Sequence, residues 1–244
     1  MKCKDNMVLI MGATGSGKSS LPVDLALHSN AEIINSDKMQ FYDGLKITTN
    51  QSTIAELRGV PHHLLGKLHP EAEEVTAAEF RVMAAKAISE ITLRKKLPIL
   101  ADVDQPVLFE YLSLRLDVMM KSGMFEEIAE FLRASKAPKE PLGIWKAIGV
   151  QEFGDYLKMY KFGDNEIMKW DPVRKEAYEK AEDYKLRNAG WDIKKVDATA
   201  SFREAIRAAK EGEDAAEMQR KIWNKEVLEP CVNIVNIFLD QPID

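Results

Sequence analysis

The sequence has few of the features that mark secreted, membrane or nucleic-acid-binding proteins. Its only two cysteines, Cys3 and Cys231, lie at opposite ends of the chain and form neither a disulfide framework nor a metal motif. No apolar run is long enough to span a bilayer. The net charge of -5 provides no broad basic surface. We therefore expect a monomer from a reducing compartment that binds neither membrane nor nucleic acid.

The N-terminus leaves little room for a targeting peptide. An apolar strand is predicted to begin by about Met7, so no signal or transit segment precedes it in the sequence as it stands. This predicts a cytoplasmic protein. A plastid or mitochondrial location stays open if an N-terminal transit peptide has been removed.

The chain alternates strands and helices at first and then becomes mostly helical. Continuous apolar runs predict buried parallel strands at 7–11, 31–35 and 97–101. Helical spacing is found over 17–29, 76–94, 106–121, 124–134, 141–160, 171–189 and, with breaks, 203–239. Composition predicts loops at 137–141 and 161–172. The predicted fold is therefore α/β, with a parallel α/β core over 1–105 and a helical part over 106–244 packed on it as one structural unit.

A phosphate-binding loop follows the first predicted strand. In the segment LIMGATGSGKSS (9–20), an apolar strand runs into a loop that matches G-x4-G-K-[ST], and a predicted helix comes next. Glycines allow the backbone to approach phosphate oxygens, the lysine adds a positive charge and the final hydroxyl can ligate Mg²⁺. The loop consists of Gly12, Ala13, Thr14, Gly15, Ser16, Gly17, Lys18 and Ser19, with Ser19 as the expected Mg²⁺ ligand. The fold class is thus a P-loop NTPase-like parallel sheet.

A second group of polar residues lies where the second predicted strand ends. Asn35, Ser36 and Asp37 occupy the edge at which parallel α/β sheets bind their ligands. A carboxylate there could accept a proton or ligate Mg²⁺ through water, although an aspartate after a strand is more often a turn or helix cap.

Several segments together resemble the adenosine and tRNA isopentenyltransferases, and in particular the plant adenylate members of that family. They are MGATGSGKSS, EIINSDKMQFYDGLKITTN, GVPHHLLG, KAIGVQEF and AGWDIKKVDATASF. The resemblance extends from about residue 7 to residue 240. The phosphate loop is shared with many unrelated enzymes, whereas the run from INSDKMQFY to GVPHHLLG is far more particular to this family.

The resemblance implies a prenyl transfer, the first step of cytokinin biosynthesis. The loop would hold the diphosphate of dimethylallyl diphosphate, and N6 of an adenine nucleotide (AMP, ADP or ATP) would attack C1 of the dimethylallyl group. Lys18 and Mg²⁺ on Ser19 would stabilise the leaving diphosphate, and Thr14 would donate to an oxygen near the breaking bond. Asp37 would accept the N6 proton. The resemblance also implies substrate contacts from Asn35, Ser36, Thr49 and Lys146.

The chain departs from the family pattern at three places. Gln51 stands where the family usually has a lysine, which removes one phosphate contact. After LPILA the family shows a Gly-Gly-Ser turn and several dozen residues before a strand ending in Val-Asp, whereas here Ala101 runs directly into DVDQPV. We therefore assign Asp104 to that later strand. We interpret ILADVD as a junction between two strands of the family pattern and not as a metal-binding motif. A second junction is predicted near 180–186.

These junctions leave alternatives to the main interpretation. One alternative is that the chain lacks segments that line the cleft, which predicts a marginal fold and poor or no transfer. The other is that further residues lie between positions that are numbered consecutively here. Other functions are a tRNA isopentenyltransferase, a small-molecule kinase and a catalytically impaired paralogue that still binds nucleotide. The acidic pI of about 5.6 and the lack of a C-terminal Cys/His cluster disfavour the tRNA enzyme.

Overall fold

The computed structural model describes residues 6–89, 95–135, 142–151, 153–154, 193–212, 214 and 216–240. Its strands are β1 (Asn6–Gly12), β2 (Ile33–Ile34), β3 (His62–His63), β4 (Lys95–Asp102) and β5 (Lys194–Asp197). Its α-helices are α1 (Ser20–Ser29), α2 (Ile54–Leu57), α3 (Ala77–Ser89), α4 (Gln105–Lys121), α5 (Met124–Ala134), α6 (Thr199–Glu211), α7 (Ala216–Trp223) and α8 (Glu229–Asp240). A π-helical segment, Asn224–Leu228, joins α7 to α8, and 3₁₀ turns occur at Met39–Phe41 and Gly143–Lys146.

The main sheet is parallel and has the order β1-β4-β5. Its central strand β4 buries Leu97, Ile99 and Ala101, which alternate along the strand and therefore face the same side of the sheet, and it buries Pro98 on the opposite side. The phosphate-loop strand β1 pairs with β4 along its whole length, ending at the pair Gly12↔Ala101. The predicted parallel pairing of 7–11 with 97–101 is therefore confirmed.

The predicted place of 31–35 in this sheet is wrong. Only Ile33–Ile34 forms a strand there, and it belongs to a separate two-stranded sheet with β3. Ala31 and Glu32 are exposed, so the apolar run that suggested a buried strand is effectively two residues long. The second neighbour of β4 is instead β5, which sequence reasoning did not predict because its lysines hide the one buried residue, Val196.

The first junction lies inside a continuous strand. Ala101 and Asp102 are consecutive residues of β4, and they pair with the consecutive residues Val196 and Asp197 of β5. The 244-residue sequence is continuous through this position, so the alternative that the chain itself lacks a segment here remains. The second junction, near 180–186, lies outside the described residues.

The predicted helices are confirmed wherever the described residues cover them fully. The helix predicted over 141–160 is different, because Ala147 is extended and Gly149 has a φ of +98°, which separates the 3₁₀ turn from the helical residues that begin at Val150. The helix predicted over 171–189 and the loop over 161–172 lie outside the described residues, as does most of the loop over 137–141. Among the described residues, no helix is both long and apolar enough to cross a membrane.

Residue contacts group the chain into two compact units, each assembled from separate stretches. Unit 1 comprises 1–33, 88–114 and 178–244, and unit 2 comprises 34–87 and 115–177. Each has its own apolar core. The core of unit 1 joins the sheet to α1, α6 and α8, and the core of unit 2 surrounds the fully buried side chains of Tyr42, Ile128 and Phe153. The predicted division of the chain at residue 105 stays a prediction.

Candidate functional site

The phosphate loop lies in unit 1, between the end of β1 and the start of α1. Gly12 has no room for a side chain, because a Cβ there would lie 2.2 Å from Ser16 Oγ and 2.8 Å from the Ala101 carbonyl oxygen. Gly15 and Gly17 have φ values of +84° and +86°, which residues with side chains rarely adopt. The motif glycines are thus required by packing and by backbone conformation.

The loop presents backbone donors where α1 begins. The Ser16 amide donates to the Ala13 carbonyl at 3.2 Å, which closes the turn. In the part of the chain that the structure describes, the amides of Gly15 and Gly17 donate to no protein acceptor. Such amides at a helix N-terminus form a typical anion-binding arrangement. The geometry fits a phosphate or diphosphate group.

Lys18 and Ser19 close the loop on its helical side. The Lys18 ammonium donates to the Ala13 carbonyl at 3.1 Å, so this side chain crosses back over the loop. Ser19 is exposed at the N-cap of α1, and its hydroxyl makes no capping hydrogen bond. The hydroxyl is therefore available as an oxygen ligand, which fits the predicted Mg²⁺ role. No group of three or more acidic, His or Cys side chains within the described ranges could hold a metal on its own.

Asp37 and Asn35 form a hydrogen-bonded turn in unit 2. The Asn35 side-chain amide donates to the carbonyls of Asp37 at 2.8 Å and Leu64 at 2.9 Å. Asp37 is exposed, and its Oδ1 accepts from the Met39 amide at 2.9 Å. Asp37 therefore forms an Asx turn with one oxygen just before the 3₁₀ turn, whose N-cap is Lys38, and a turn is one of the commoner roles of such an aspartate. The second carboxylate oxygen remains available for a proton.

Lys146, an expected substrate contact, belongs to an ion-pair cluster in unit 2. Its ammonium lies 2.8 Å and 2.9 Å from the two carboxylate oxygens of Glu74. The Lys38 ammonium lies 2.8 Å from the same carboxylate. Lys146, and after it Lys38, holds the pKa of Glu74 below its ordinary value of 4.5. A substrate phosphate at Lys146 would have to share this lysine with Glu74 or displace the carboxylate.

The threonines near residue 48 are held by hydrogen bonds within unit 2. Glu127 accepts from the amides of Ile47 at 3.0 Å and Thr48 at 2.8 Å, and from the Thr48 hydroxyl at 2.7 Å. The Thr49 hydroxyl donates to the Leu45 carbonyl at 2.9 Å. The predicted substrate role of Thr49 thus competes with a hydrogen bond inside its own turn. Gln51, the departure from the family lysine, donates to the Gln40 carbonyl at 2.9 Å.

The aspartates at the end of β4 are paired with cations. Asp102 lies 2.5 Å from Lys195, and Asp104 lies 3.0 Å from Arg203. Asp102 raises the pKa of Lys195. Both carboxylates thus have cationic partners. That ILADVD is no metal motif stays a prediction. A pocket of about 530 Å³ beside them is lined by Asp104, Asp197, Thr199, Ala200, Arg203, Glu204 and Arg207.

The expected site residues are divided between the two units. Unit 1 contains the whole loop from Gly12 to Ser19, and unit 2 contains Asn35, Ser36, Asp37, Thr49 and Lys146. The structure brings the loop residues together, and it joins Asn35 to Asp37 within their turn. The catalytic and binding roles assigned to these residues stay predictions.

Sequence reasoning missed three residues that connect the helix after the loop to the C-terminal part of unit 1. Asp24 on α1 is 5% exposed and hydrogen-bonds to Arg220 and Trp223 of α7, and the Trp223 ring contacts Gly17. The partners lie 196 and 199 residues apart in sequence, and no local pattern signals such a contact. Only the tertiary structure could reveal them.

The family model described as IPP transferase matches residues 40–102 and 100–195 of this chain. Among curated proteins, adenylate isopentenyltransferase 4 of Arabidopsis thaliana is 69% identical over 303 aligned positions, covering 100% of this chain and 95% of the relative. Adenylate isopentenyltransferase 1, chloroplastic, of the same plant is 42% identical, with 98% of this chain and 82% of the relative covered. An adenylate isopentenyltransferase of Humulus lupulus is 38% identical and covers 95% of this chain and 90% of the relative.

Solved structures of low sequence identity share the fold. A eukaryotic dimethylallyltransferase acting on tRNA has a TM-score of 0.72 at 19% identity, with 98% of this chain and 81% of that chain covered. A tRNA isopentenylpyrophosphate transferase of Bacillus halodurans has a TM-score of 0.68 at 19% identity, covering 91% of this chain and 99% of that one. At this identity the likeness establishes the P-loop-like architecture alone.

The comparisons also bear on the first junction. The alignment with the 69% identical relative needs 303 positions for a chain of 244 residues, so the relative has internal segments that this chain lacks. The two stretches matched by the family model meet at 100–102, which is where the junction was predicted. The first finding shows that this chain lacks internal segments of the relative, and the second agrees with the loss of a segment after Ala101.

Proposed function

Because the chain belongs to the IPP transferase family, we propose that it transfers the dimethylallyl group of dimethylallyl diphosphate to N6 of an adenine nucleotide, the first step of cytokinin biosynthesis. The observation that carries this proposal is the 69% identity to an adenylate isopentenyltransferase along the whole chain. The C1–O bond to diphosphate breaks, the bond between N6 and C1 forms, and the N6 proton passes to a base.

The phosphate loop binds the diphosphate in this proposal. The amides of Gly15 and Gly17 and the N-terminus of α1 face the leaving group, and Lys18 turns from the Ala13 carbonyl towards it. Thr14 donates to an oxygen near the breaking bond. These donors stabilise the negative charge that grows as the C1–O bond breaks.

Mg²⁺ is the expected cofactor, with the Ser19 hydroxyl as one ligand. Magnesium is usually held by a few protein oxygens together with water and substrate phosphates, so one uncommitted hydroxyl at the loop is compatible with it. When bound, the ion would neutralise charge on the diphosphate.

Asp37 is the proposed base. Its Oδ1 is held by the Met39 amide, which fixes the carboxylate, while the exposed side chain keeps an oxygen for the N6 proton. Asn35 orients the turn, and Ser36, Thr49 and Lys146 contact substrate. Lys146 does so in exchange for part of its ion pair with Glu74.

A free nucleotide is favoured over tRNA as the acceptor. The pI of about 5.6 and the net charge of -5 provide little attraction for a polyanion. The relatives with higher identity are named adenylate isopentenyltransferases, whereas the tRNA enzymes resemble this chain at 19% identity. Some relatives are named chloroplastic or mitochondrial, and a cytoplasmic location for this chain remains our proposal.

A second candidate is a paralogue that binds diphosphate and nucleotide but transfers poorly. It is favoured by one observation, the 303 aligned positions that a relative needs against 244 residues here. Loss of a segment after Ala101 removes part of the chain that follows the central strand, and that edge of a parallel sheet carries its ligands.

Incubation of the full chain with Mg²⁺, dimethylallyl diphosphate and AMP, ADP or ATP tests both candidates. We expect mass spectrometry to detect an isopentenyl group on the nucleotide, with Lys18→Ala as the inactive control. Binding of both substrates without this product would establish the impaired paralogue. A parallel reaction supplies tRNA as the acceptor. Product on tRNA alone, or phosphoryl transfer from ATP in the nucleotide reaction, would refute both candidates.

A further inference from the structure

A buried carboxylate connects the helix that follows the phosphate loop to the C-terminal part of unit 1. Asp24, on α1, accepts from the two terminal nitrogens of Arg220, from Nη2 at 2.6 Å and from Nη1 at 2.9 Å. It also accepts from Trp223 Nε1 at 2.9 Å. Arg220 and Trp223 are three residues apart on α7, so they lie on the same face of that helix. Asp24 raises the pKa of Arg220, which therefore stays charged. Each carboxylate oxygen of Asp24 thus has a partner.

The indole ring of Trp223 lies against the phosphate loop itself. A Cβ placed on Gly17 would lie 2.5 Å from Cη2 and 2.8 Å from Cζ3 of this ring, and 3.7 Å from Cζ of Phe202. Gly17 has a φ of +86° and directly precedes Lys18. Trp223 is only 7% exposed, so the ring is fixed by packing as well as by its hydrogen bond. The conformation of the loop is therefore supported from the side by α7.

We propose that Asp24, Arg220 and Trp223 form a positioning clamp that holds the phosphate loop in its diphosphate-binding conformation. The inference rests on the proposed function of the loop as the diphosphate site. Loop amides bind an anion well only if they already converge on one point. If the loop adopts other conformations for part of the time, its apparent affinity is reduced by the fraction of molecules in the binding conformation. The ion pair fixes α7 against α1, and Trp223 carries that constraint to Gly17.

The test measures binding of inorganic diphosphate with Mg²⁺ to the full chain by titration calorimetry, so it does not depend on prenyl transfer. Trp223→Phe keeps an aromatic ring but loses the N–H, and it leaves the pair of Asp24 and Arg220 intact. Arg220→Gln and Asp24→Asn remove the ion pair. We expect each variant to weaken diphosphate binding by about tenfold, the usual size of such a coupling. Thermal unfolding of each variant establishes that it is folded.

Arg207→Gln is the matched control. Arg207 also pairs with carboxylates, those of Glu204 and Glu211, but it does so along its own helix α6. We expect wild-type affinity in this variant. A second readout is tryptophan emission, because the Trp223 ring lies beside Gly17. Arg220→Gln keeps the Trp223 ring, so the emission change on diphosphate binding should persist in this variant but should require about tenfold more diphosphate. A purely structural role distant from the ligand would leave that concentration unchanged.

The outcomes separate the clamp from the proposed function. If the wild type binds diphosphate and the folded variants bind it equally well, the clamp is refuted and the diphosphate site stands. If the wild type binds no diphosphate, the loop is not a diphosphate site, and both proposals are refuted. Should Asp24→Asn fail to fold, Trp223→Phe decides, because it leaves the buried ion pair in place.

Discussion

The two units hold the expected site residues in different ways. In unit 1 these residues offer mainly backbone groups: a strand ends at Gly12, glycines with positive φ shape the loop, and the loop amides of Gly15 and Gly17 have no acceptor among the described residues. In unit 2 they are side chains that are already engaged, such as Lys146 with Glu74 and Thr49 with Leu45. A backbone site is ready for its ligand, whereas a side-chain site must exchange existing partners for substrate. Unit 1 is therefore expected to set diphosphate binding, and unit 2 to set the chemistry and the choice of acceptor.

The largest effect is expected from Asp37→Asn in unit 2. Asparagine can still accept from the Met39 amide, so the turn is kept, but the side chain no longer accepts a proton. Turnover should fall by about 10²–10⁴-fold while nucleotide binding changes little. Product formation measured by mass spectrometry and nucleotide binding by calorimetry check this result. Asp43→Asn is the control, because Asp43 also accepts from a nearby amide, that of Gly44. Wild-type turnover in Asp37→Asn would remove Asp37 from the mechanism.

Lys18→Ala tests the contribution of unit 1. Loss of the ammonium should reduce turnover by about 10²–10³-fold and weaken diphosphate binding, because one cation facing the leaving group is removed. Stability should change little, since Lys18 is only partly buried. Lys210→Ala, which removes a surface lysine paired with Glu110, provides the control. Diphosphate affinity equal to that of the wild type would show that the Lys18 ammonium does not contribute to diphosphate binding.

Glu127→Ala tests whether unit 2 needs its internal hydrogen bonds to stay folded. It leaves the amides of Ile47 and Thr48 and the Thr48 hydroxyl without their acceptor. The free energy of unfolding should fall by about 2 kcal/mol, the usual cost of losing hydrogen bonds to a charged group. Chemical denaturation measures it, and Glu126→Ala, at the exposed neighbouring position, should be nearly neutral. An equal loss in both variants would show that the cost lies in α5 itself and not in these bonds.

The smallest effect is expected from Glu74→Gln, which removes the carboxylate between Lys38 and Lys146. The pKa of Glu74 is lower in the folded state than in the unfolded state. The ionised carboxylate therefore stabilises the fold at any pH above the unfolded-state pKa, and this contribution is lost as the pH falls through the lowered pKa of the folded state. The variant should melt slightly below the wild type at neutral pH, and the two melting temperatures should converge in acid. A constant difference across this range would show that the ion pairs contribute nothing measurable, as is common at exposed sites.

The sequence by itself determined the local parts of this protein. A strand, a glycine-rich loop and a helix are neighbours in the chain, so the motif at 12–19 could be placed correctly between β1 and α1. Helical spacing located α4 and α5 within a residue of their ends, because each amphipathic pattern is complete within its own segment. The junction after Ala101 was also visible, since a missing turn is a local feature and the family match breaks there.

The tertiary structure decided everything that depends on distant partners. β5 was not predicted, because its sequence KKVD contains only one buried apolar residue, Val196. The burial of Val196 depends on pairing with Ala101 of β4, which is distant in sequence. The strand expected at 31–35 contains only two residues, and it pairs with β3. The pairing of a strand depends on packing across the whole sheet, which one apolar run does not determine. Lys146 was expected to be a substrate contact, and its pairing with Glu74, 72 residues away in sequence, was not predicted. Trp223 reached Gly17 for the same reason: packing joins residues that no local pattern relates.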